Sequence, residues 1–181
     1  MTDSEVHRHQ PAGLVLAAVG PPGELTPRLQ RAADRLVALT AWPLRSLEPA
    51  HSPAQALAAL GEGRSTLAAP AWLAPLPLDP GLSLGRAGHW AEGLGAWRQP
   101  TVLLLDAAQL DTGWPAAATA LLKGAGVPLV GLIQWGGTWE PERRREEALP
   151  WLGVLAEPDG AGEGAAVLLA LMRRWRALDL T

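Results

Sequence analysis

The clearest pattern of apolar and polar positions lies in the second half of the chain, where two continuous apolar runs flank a segment of helical length. The runs cover residues 101–105 and 128–133, and a run that is apolar at every position is typical of a strand buried on both faces. Residues 116–123 between them are rich in Ala and Leu, with Pro115 suited to the first helical turn and Gly124 to the C-terminal stop. This order predicts a right-handed βαβ unit at the centre of a parallel sheet.

The same patterns predict further elements on both sides of this unit. Strands are predicted at residues 13–19, 66–69 and 151–155, and helices at residues 27–38, 53–60, 89–97, 164–178 and from Pro141 onwards. Residues 20–27 are predicted to form a turn, residues 42–47 a loop or weak strand, and residues 70–84, which hold four prolines, an irregular loop. The expected architecture is a flexible arm, residues 1–12, followed by one α/β domain, residues 13–181, with a mostly parallel sheet and helices on both faces.

Composition and charge exclude several classes of protein. The net charge of −3 gives no basic field for nucleic acid. No apolar stretch reaches the ~18 residues that a membrane-spanning helix needs, and the polar N-terminus carries no signal-peptide core, so a cytoplasmic location is expected. Cysteine is absent, which excludes disulfides, thiolate metal sites and cysteine nucleophiles, whereas tryptophan occurs nine times.

The carboxyl ends of the central strands are the expected binding site. Residues 106–114 and 134–139 follow neighbouring strands of the predicted parallel sheet, so they share one edge of it. Open α/β sheets bind their ligands at this edge. Any function of the domain is therefore predicted to lie there.

Four blocks of the sequence, taken in order, resemble motifs of the dethiobiotin synthase family of P-loop NTPases. They are WPLRSLEPAHSP, APAWLAPLPL, the central unit VLLLDAAQLDTGWPAAATALLKGAGVPLVGLIQWG, and LPWLGVLAEP. Their shared order and spacing extend the likeness over residues 13–155. The resemblance implies a P-loop NTPase fold and a step of biotin biosynthesis, in which dethiobiotin is made from a diamino acid, carbon dioxide and ATP with the help of magnesium.

The segments that would hold the ATP phosphates are missing from this resemblance. The family begins with a strand and the phosphate loop G-T-D-T-x-V-G-K-T, whereas VLAAVG here is similar to the family's second strand, with Val15 in place of its lysine. Lys123 is the only lysine, so the chain contains no G-K-[ST] sequence. The nearest imitation, GEGRST at residues 61–66, fits a helix-terminating turn better because it precedes a predicted strand instead of following one.

The family's contacts to magnesium and adenine are also replaced. Its magnesium-binding glutamate corresponds to Ala69, and two of its asparagines correspond to Trp114 and Trp135. Magnesium needs hard oxygen ligands and adenine needs hydrogen bonds, which alanine and tryptophan do not offer at those points. The chain is therefore expected to lack ATP-dependent ligase activity, and no cofactor is predicted.

Four tryptophans are predicted to lie on loops at the binding edge, namely Trp72, Trp114, Trp135 and Trp139. Three roles are open to them. They fill the space of the lost phosphate loop and nucleotide as a buried plug, they form an exposed aromatic patch that binds a partner, or they stack on a flat small molecule. The first two roles differ in solvent exposure, which the structure reports.

Three polar residues at the same edge are the candidate catalytic residues. Asp106 ends the strand TVLLLD and Asp111 follows it closely, where a carboxylate can ligate a metal or act as a base. Each carboxylate has the alternative of being solvated or capping a helix. Thr112 matches a threonine of the family motif, and its alternative role is turn hydrogen bonding.

Loss of the phosphate-loop strand leaves a gap in the centre of the expected sheet. Three arrangements close it: the strands at residues 66–69 and 101–105 pair directly, residues 13–19 occupy the vacant position, or a second chain supplies a strand. Newly exposed apolar edges favour oligomerisation, so a homodimer or a protein partner is expected.

Two functional hypotheses follow. The leading one is a degenerate dethiobiotin synthase-like pseudoenzyme that acts through protein binding or self-association. The alternative is a biotin-pathway enzyme with an altered, ATP-independent site for a biotin-precursor small molecule. Exposed tryptophans without a cavity favour the first hypothesis, and a deep cavity lined by Asp106, Asp111 and Thr112 favours the second.

Overall fold

The computed structural model describes residues 13–48, 52–61, 71–156 and 162–178. Its strands are β1 (Gly13–Ala18), β2 (Trp72–Pro75), β3 (Thr101–Asp106), β4 (Leu129–Trp135) and β5 (Trp151–Leu155). Its α-helices are α1 (Pro22–Thr40), α2 (Pro53–Gly61), α3 (Trp90–Ala96), α4 (Trp114–Gly124), α5 (Pro141–Glu146) and α6 (Glu163–Leu178). Two short 3-10 helices cover Gly85–Ala87 and Ala107–Gln109.

The five strands form one sheet in the order β2-β1-β3-β4-β5, and all neighbouring pairs are parallel. This confirms the α/β class, the parallel sheet and the central βαβ unit formed by β3, α4 and β4. The order is one of the common doubly wound arrangements, in which the chain reverses direction across the sheet between β1 and β3. Loops on the two sides of that point diverge and leave a crevice at the carboxyl edge.

The N-terminal apolar run lies in the middle of the sheet. β1 pairs with β2 on one side and with β3 on the other, so residues 13–18 occupy the central position. This central position agrees with the second of the three expected arrangements, in which residues 13–19 occupy the middle of the sheet. The predicted strand at residues 66–69 and the predicted arm at residues 1–12 lie outside the described residues.

The continuous apolar runs are explained by helices on both faces of the sheet. Alternate strand residues such as Val15 and Leu103 pack towards α2, α3 and α4, whereas Leu14 and Leu104 pack towards α1 and α6. The first layer buries Leu57, Leu60, Trp90, Leu94 and Leu122, and the second buries Leu25, Leu29, Leu36, Val167 and Leu171. Neither face of the central strands is left for solvent, so neither face needs polar residues.

The start of the first long helix corrects a prediction. Residues 20–27 were expected to form a turn, but α1 begins at Pro22 and includes Pro27. A proline at the sixth helical position removes a single backbone hydrogen bond near the open end of the helix. The buried side chains of Leu25 and Leu29 lie on either side of it in sequence, and their burial offsets that loss.

The second strand corrects another prediction, since it lies inside the proline-rich segment that was expected to be irregular. On the outer side of β2, the N–H of Leu73 donates to the Pro43 carbonyl, and the carbonyl of Leu73 accepts the N–H of Arg45. On the inner side, the N–H of Leu76 donates to the carbonyl of Leu16. Pro75 therefore faces the outer side of the strand, where its missing N–H breaks no bond of the sheet. Residues 43–45 run along this side and form one isolated bridge with β2, within the segment predicted as a loop or weak strand.

A close approach of two helices gives a testable consequence. A Cβ atom at Gly95 of α3 would lie 1.7 Å from the carbonyl oxygen of Ala125, directly after α4. Gly95→Ala should push these elements apart and lower the free energy of unfolding by about 2 kcal/mol, measured by urea denaturation. Gly124→Ala is the control, because that position is open and alanine there should be neutral or slightly stabilising. Equal effects of the two substitutions would contradict this packing.

Candidate functional site

Three loops meet at the carboxyl edge of the sheet and are joined by hydrogen bonds over long sequence distances. The side chain of Gln109, after β3, donates from Nε2 to the carbonyl of Val19, after β1, at 2.9 Å. The N–H of Gly20 donates to Oδ2 of Asp79, which follows β2, also at 2.9 Å. These bonds fix the positions of the loops on either side of the point where the chain reverses.

A cavity of about 420 Å³ opens between these loops. It is lined by Val19, Gly20, Pro21, Pro22, Asp79, Gly81, Leu82, Trp114, Ala117, Ala118 and Leu121. Its volume is within the range of small-molecule sites, and its position in the crevice beside β1 is where doubly wound sheets bind ligands. We regard this cavity as the candidate functional site.

The turn that follows β2, residues 79–82, contributes to the lining of the cavity. The Asp79 carboxylate accepts the N–H of Gly81 through Oδ1 at 2.8 Å, and the N–H of Leu82 donates to the Asp79 carbonyl at 3.0 Å. Gly81 lies so close to α4 that a Cβ atom there would be 2.9 Å from Leu121. The turn therefore lies close to α4, and both line the cavity.

Trp114 gives the cavity its aromatic wall. It is the first residue of α4, with Pro115 next to it, and its backbone N–H donates to Oγ1 of Thr112 at 3.1 Å. Trp114 is 47% exposed, and Leu82, in the turn that follows β2, is 42% exposed. Two large apolar side chains therefore face solvent at this site, although most residues of that kind are buried in this protein.

The other three predicted tryptophans do not line the cavity. Trp72 is buried in β2, opposite Gly13 at the amino end of the sheet, so it does not lie on a loop at the binding edge. Trp135 ends β4 and is buried under α1 and α6. Trp139 is half-buried and packs edge-on against Trp151, with 6.2 Å between the ring centres. The four residues form neither one plug nor one patch.

Asp106 is held by structural contacts at the end of β3. Its Oδ1 accepts the N–H of Ala108 at 3.0 Å, which caps the short helix that follows. Its Oδ2 lies 3.2 Å from Nε of Arg28, a side chain that is only 13% exposed. The carboxylate thus connects α1 to the central sheet. Helix capping was one of the alternatives predicted for Asp106, and its bond to Ala108 is such a cap. The contact with Arg28 was not predicted.

Asp111 and Thr112 are also engaged, and neither lines the cavity. Asp111 forms an exposed ion pair with Arg143 of α5. Thr112 donates from Oγ1 to the carbonyl of Gln109 at 2.6 Å and accepts the N–H of Trp114. These are the contacts of a loop and of a helix start, and they do not bring the three candidate catalytic residues together around an open space.

The loop between β1 and α1 occupies the position at which doubly wound folds carry a phosphate-binding turn. Binding a phosphate there requires backbone N–H groups and a positive charge. Pro21 and Pro22 have no N–H, the N–H of Glu24 is bonded to the Pro21 carbonyl, and Glu24 itself carries a negative charge. This loop is therefore poorly suited to an anion.

A metal centre and a membrane-spanning helix are two further features to consider in the described residues. Within those residues, no group of three or more His, Cys, Asp and Glu side chains is arranged to hold a metal ion. In the same part of the chain, no helix has the length and apolar character needed to cross a membrane.

Asp79 and Gln109 were missed by the sequence analysis. The sequence Asp79-Pro80-Gly81 is a recognisable turn signal, but nothing local indicates that the carboxylate reaches Gly20 across 59 positions. Gln109 likewise bridges 90 positions to Val19. Such contacts depend on strand order, which follows from the whole fold.

Comparison with known proteins adds no assignment: no protein-family model matches this chain, and no curated protein matches it either. The resemblance to the dethiobiotin synthase family therefore stays a prediction.

The structural role of Asp106 can be measured by double-mutant cycles. The pair Arg28→Gln and Asp106→Asn should show a coupling energy of about 1 kcal/mol in urea denaturation, because the partners are largely shielded from water. Asparagine is chosen because its carbonyl can still accept the N–H of Ala108. The exposed pair Arg143→Gln and Asp111→Asn is the comparison, with a coupling below about 0.5 kcal/mol. Absence of coupling in the first pair would leave the Asp106 carboxylate free for chemistry.

Proposed function

We propose that this protein is a degenerate relative of the dethiobiotin synthase family that acts by binding a partner molecule and does not catalyse ATP-dependent ligation. The observation that carries the proposal is the loop between β1 and α1, where two prolines and Glu24 stand at the place of a phosphate-binding turn. A triphosphate brought to this loop meets few amide donors and a like charge.

The contacts of the candidate catalytic residues support the same proposal. Asp106 pairs with Arg28, Asp111 pairs with Arg143, and Thr112 is bonded within its own turn. A general base must have an oxygen within hydrogen-bonding reach of the substrate proton. Because none of the three lines the cavity, the alternative of an altered small-molecule enzyme built on these residues is not favoured.

The cavity beside Trp114 is the proposed binding site. Its exposed aromatic and leucine side chains are available to a partner, and their burial would contribute to affinity through the hydrophobic effect. A protein partner or a second copy would cover this surface from outside, whereas a small molecule would enter it. The cavity volume of about 420 Å³ favours a compact occupant.

Calorimetric titration with magnesium-ATP tests the loss of nucleotide binding. We expect no saturable heat, which means no Kd tighter than about 1 mM, and no dethiobiotin formed from the diamino acid, carbon dioxide and ATP. The variant Glu24→Lys is the matched control, because it supplies a cation to the loop without restoring the amides of Pro21 and Pro22. It should remain unable to bind ATP. Micromolar binding by the natural protein, or formation of dethiobiotin, would overturn the proposed function.

A further inference from the structure

We infer that the cavity beside Trp114 binds a small organic cation, an amine carried on an apolar and preferably aromatic ring. The inference rests on the proposed binding function and specifies the ligand of that same site. It follows from three features of the cavity wall: one negative charge, one exposed aromatic ring and an otherwise apolar lining.

The charge at the wall selects against anions. Asp79 is the only charged residue among the described residues that line the cavity. A phosphate or carboxylate in this space would face a like charge without any arginine or lysine of the lining to offset it. An ammonium group would instead pair with Asp79 in a setting partly shielded from water, where Coulomb attraction is stronger than in bulk solvent.

Backbone hydrogen bonds fix the position of the Asp79 carboxylate. Its two oxygens each accept one backbone N–H, from Gly20 at 2.9 Å and from Gly81 at 2.8 Å. A carboxylate oxygen can accept more than one hydrogen bond, so these two backbone bonds do not exhaust its acceptor capacity. Because the backbone fixes the carboxylate, less conformational freedom is lost when the amine binds.

The ring of Trp114 complements both parts of the ligand. A cation placed over an indole face is attracted by the ring quadrupole, and an aromatic ligand ring can stack on the same face. The remaining wall is made by prolines, alanines, valine, leucines and glycines, which offer apolar surface to the body of the ligand. A ligand with an ammonium group at one end and a ring at the other matches this division.

Calorimetry with tryptamine, its neutral alcohol analogue tryptophol and its carboxylate analogue indole-propionate measures the effect of ligand charge on one ring system. Further one-ring and two-ring amines, each with its alcohol and carboxylate, extend the panel. The amines should bind about tenfold more tightly than the alcohols, and the carboxylates should bind most weakly. This comparison uses the natural protein, so it does not depend on the folding of any variant. An equal or reversed order, or no binding by any amine of the panel, would overturn the inference.

Two pairs of variants locate the binding. Trp114→Leu should weaken amine binding about tenfold, whereas Trp97→Leu should not, although both side chains are 47% exposed. Asp79→Asn should reduce the preference for amines over alcohols, whereas Asp34→Asn, on the exposed side of α1, should leave it unchanged. Circular dichroism and thermal unfolding check that each variant is folded. Undiminished amine binding in folded Trp114→Leu protein would place the ligand elsewhere and overturn the inference.

The two proposals fail separately. Magnesium-ATP binding would refute the non-catalytic function regardless of the amine results. Absence of both ATP binding and amine binding would refute the ligand class alone and leave a protein partner as the occupant of the site.

Discussion

The structure depends on the backbone pairing of β1, the strand at the centre of the sheet. All six of its residues are buried, and it is bonded to a neighbour on each side. At its amino end the Gln99 side chain donates to the Gly13 carbonyl at 2.7 Å, which satisfies a buried acceptor. The ring of Trp72 lies against Gly13 so closely that a Cβ atom would be 1.9 Å from it. Glycine at this position is therefore required by packing.

The central strand also determines where the candidate site lies. Residues after β1 emerge between the loops of β2 and β3, and each neighbouring loop bonds to them: Asp79 to Gly20, and Gln109 to Val19. The cavity exists because α1 and α4 leave the sheet on opposite faces while these loops stay joined. A ligand at this edge would contact segments far apart in sequence, so its affinity would depend on the intact fold.

Much of the fold was predictable from sequence, because burial on both faces leaves an unbroken apolar run at β1, β3, β4 and β5. β2 was not predictable, since its prolines normally break a strand and their tolerance depends on which side of the strand bonds to the sheet. Of the predicted site residues, Trp114 lines the cavity, whereas Asp106 forms a partly buried ion pair with Arg28. Residue type and loop position pointed to the edge at which the cavity lies, but they could not show which side chains already have hydrogen-bond or ion-pair partners.

The charge of the cavity is a consequence of how the fold closes its loops. The N–H groups of Gly20 and Gly81 need an acceptor where the two chain segments meet, and a single carboxylate with two oxygens satisfies both. A neutral amide in the same place could accept from only one of them and would turn a donor towards the other. The structural requirement thus favours aspartate, and aspartate in turn determines the sign of the charge that the cavity presents. The same carboxylate that joins the loops would therefore influence which ligands can enter the cavity.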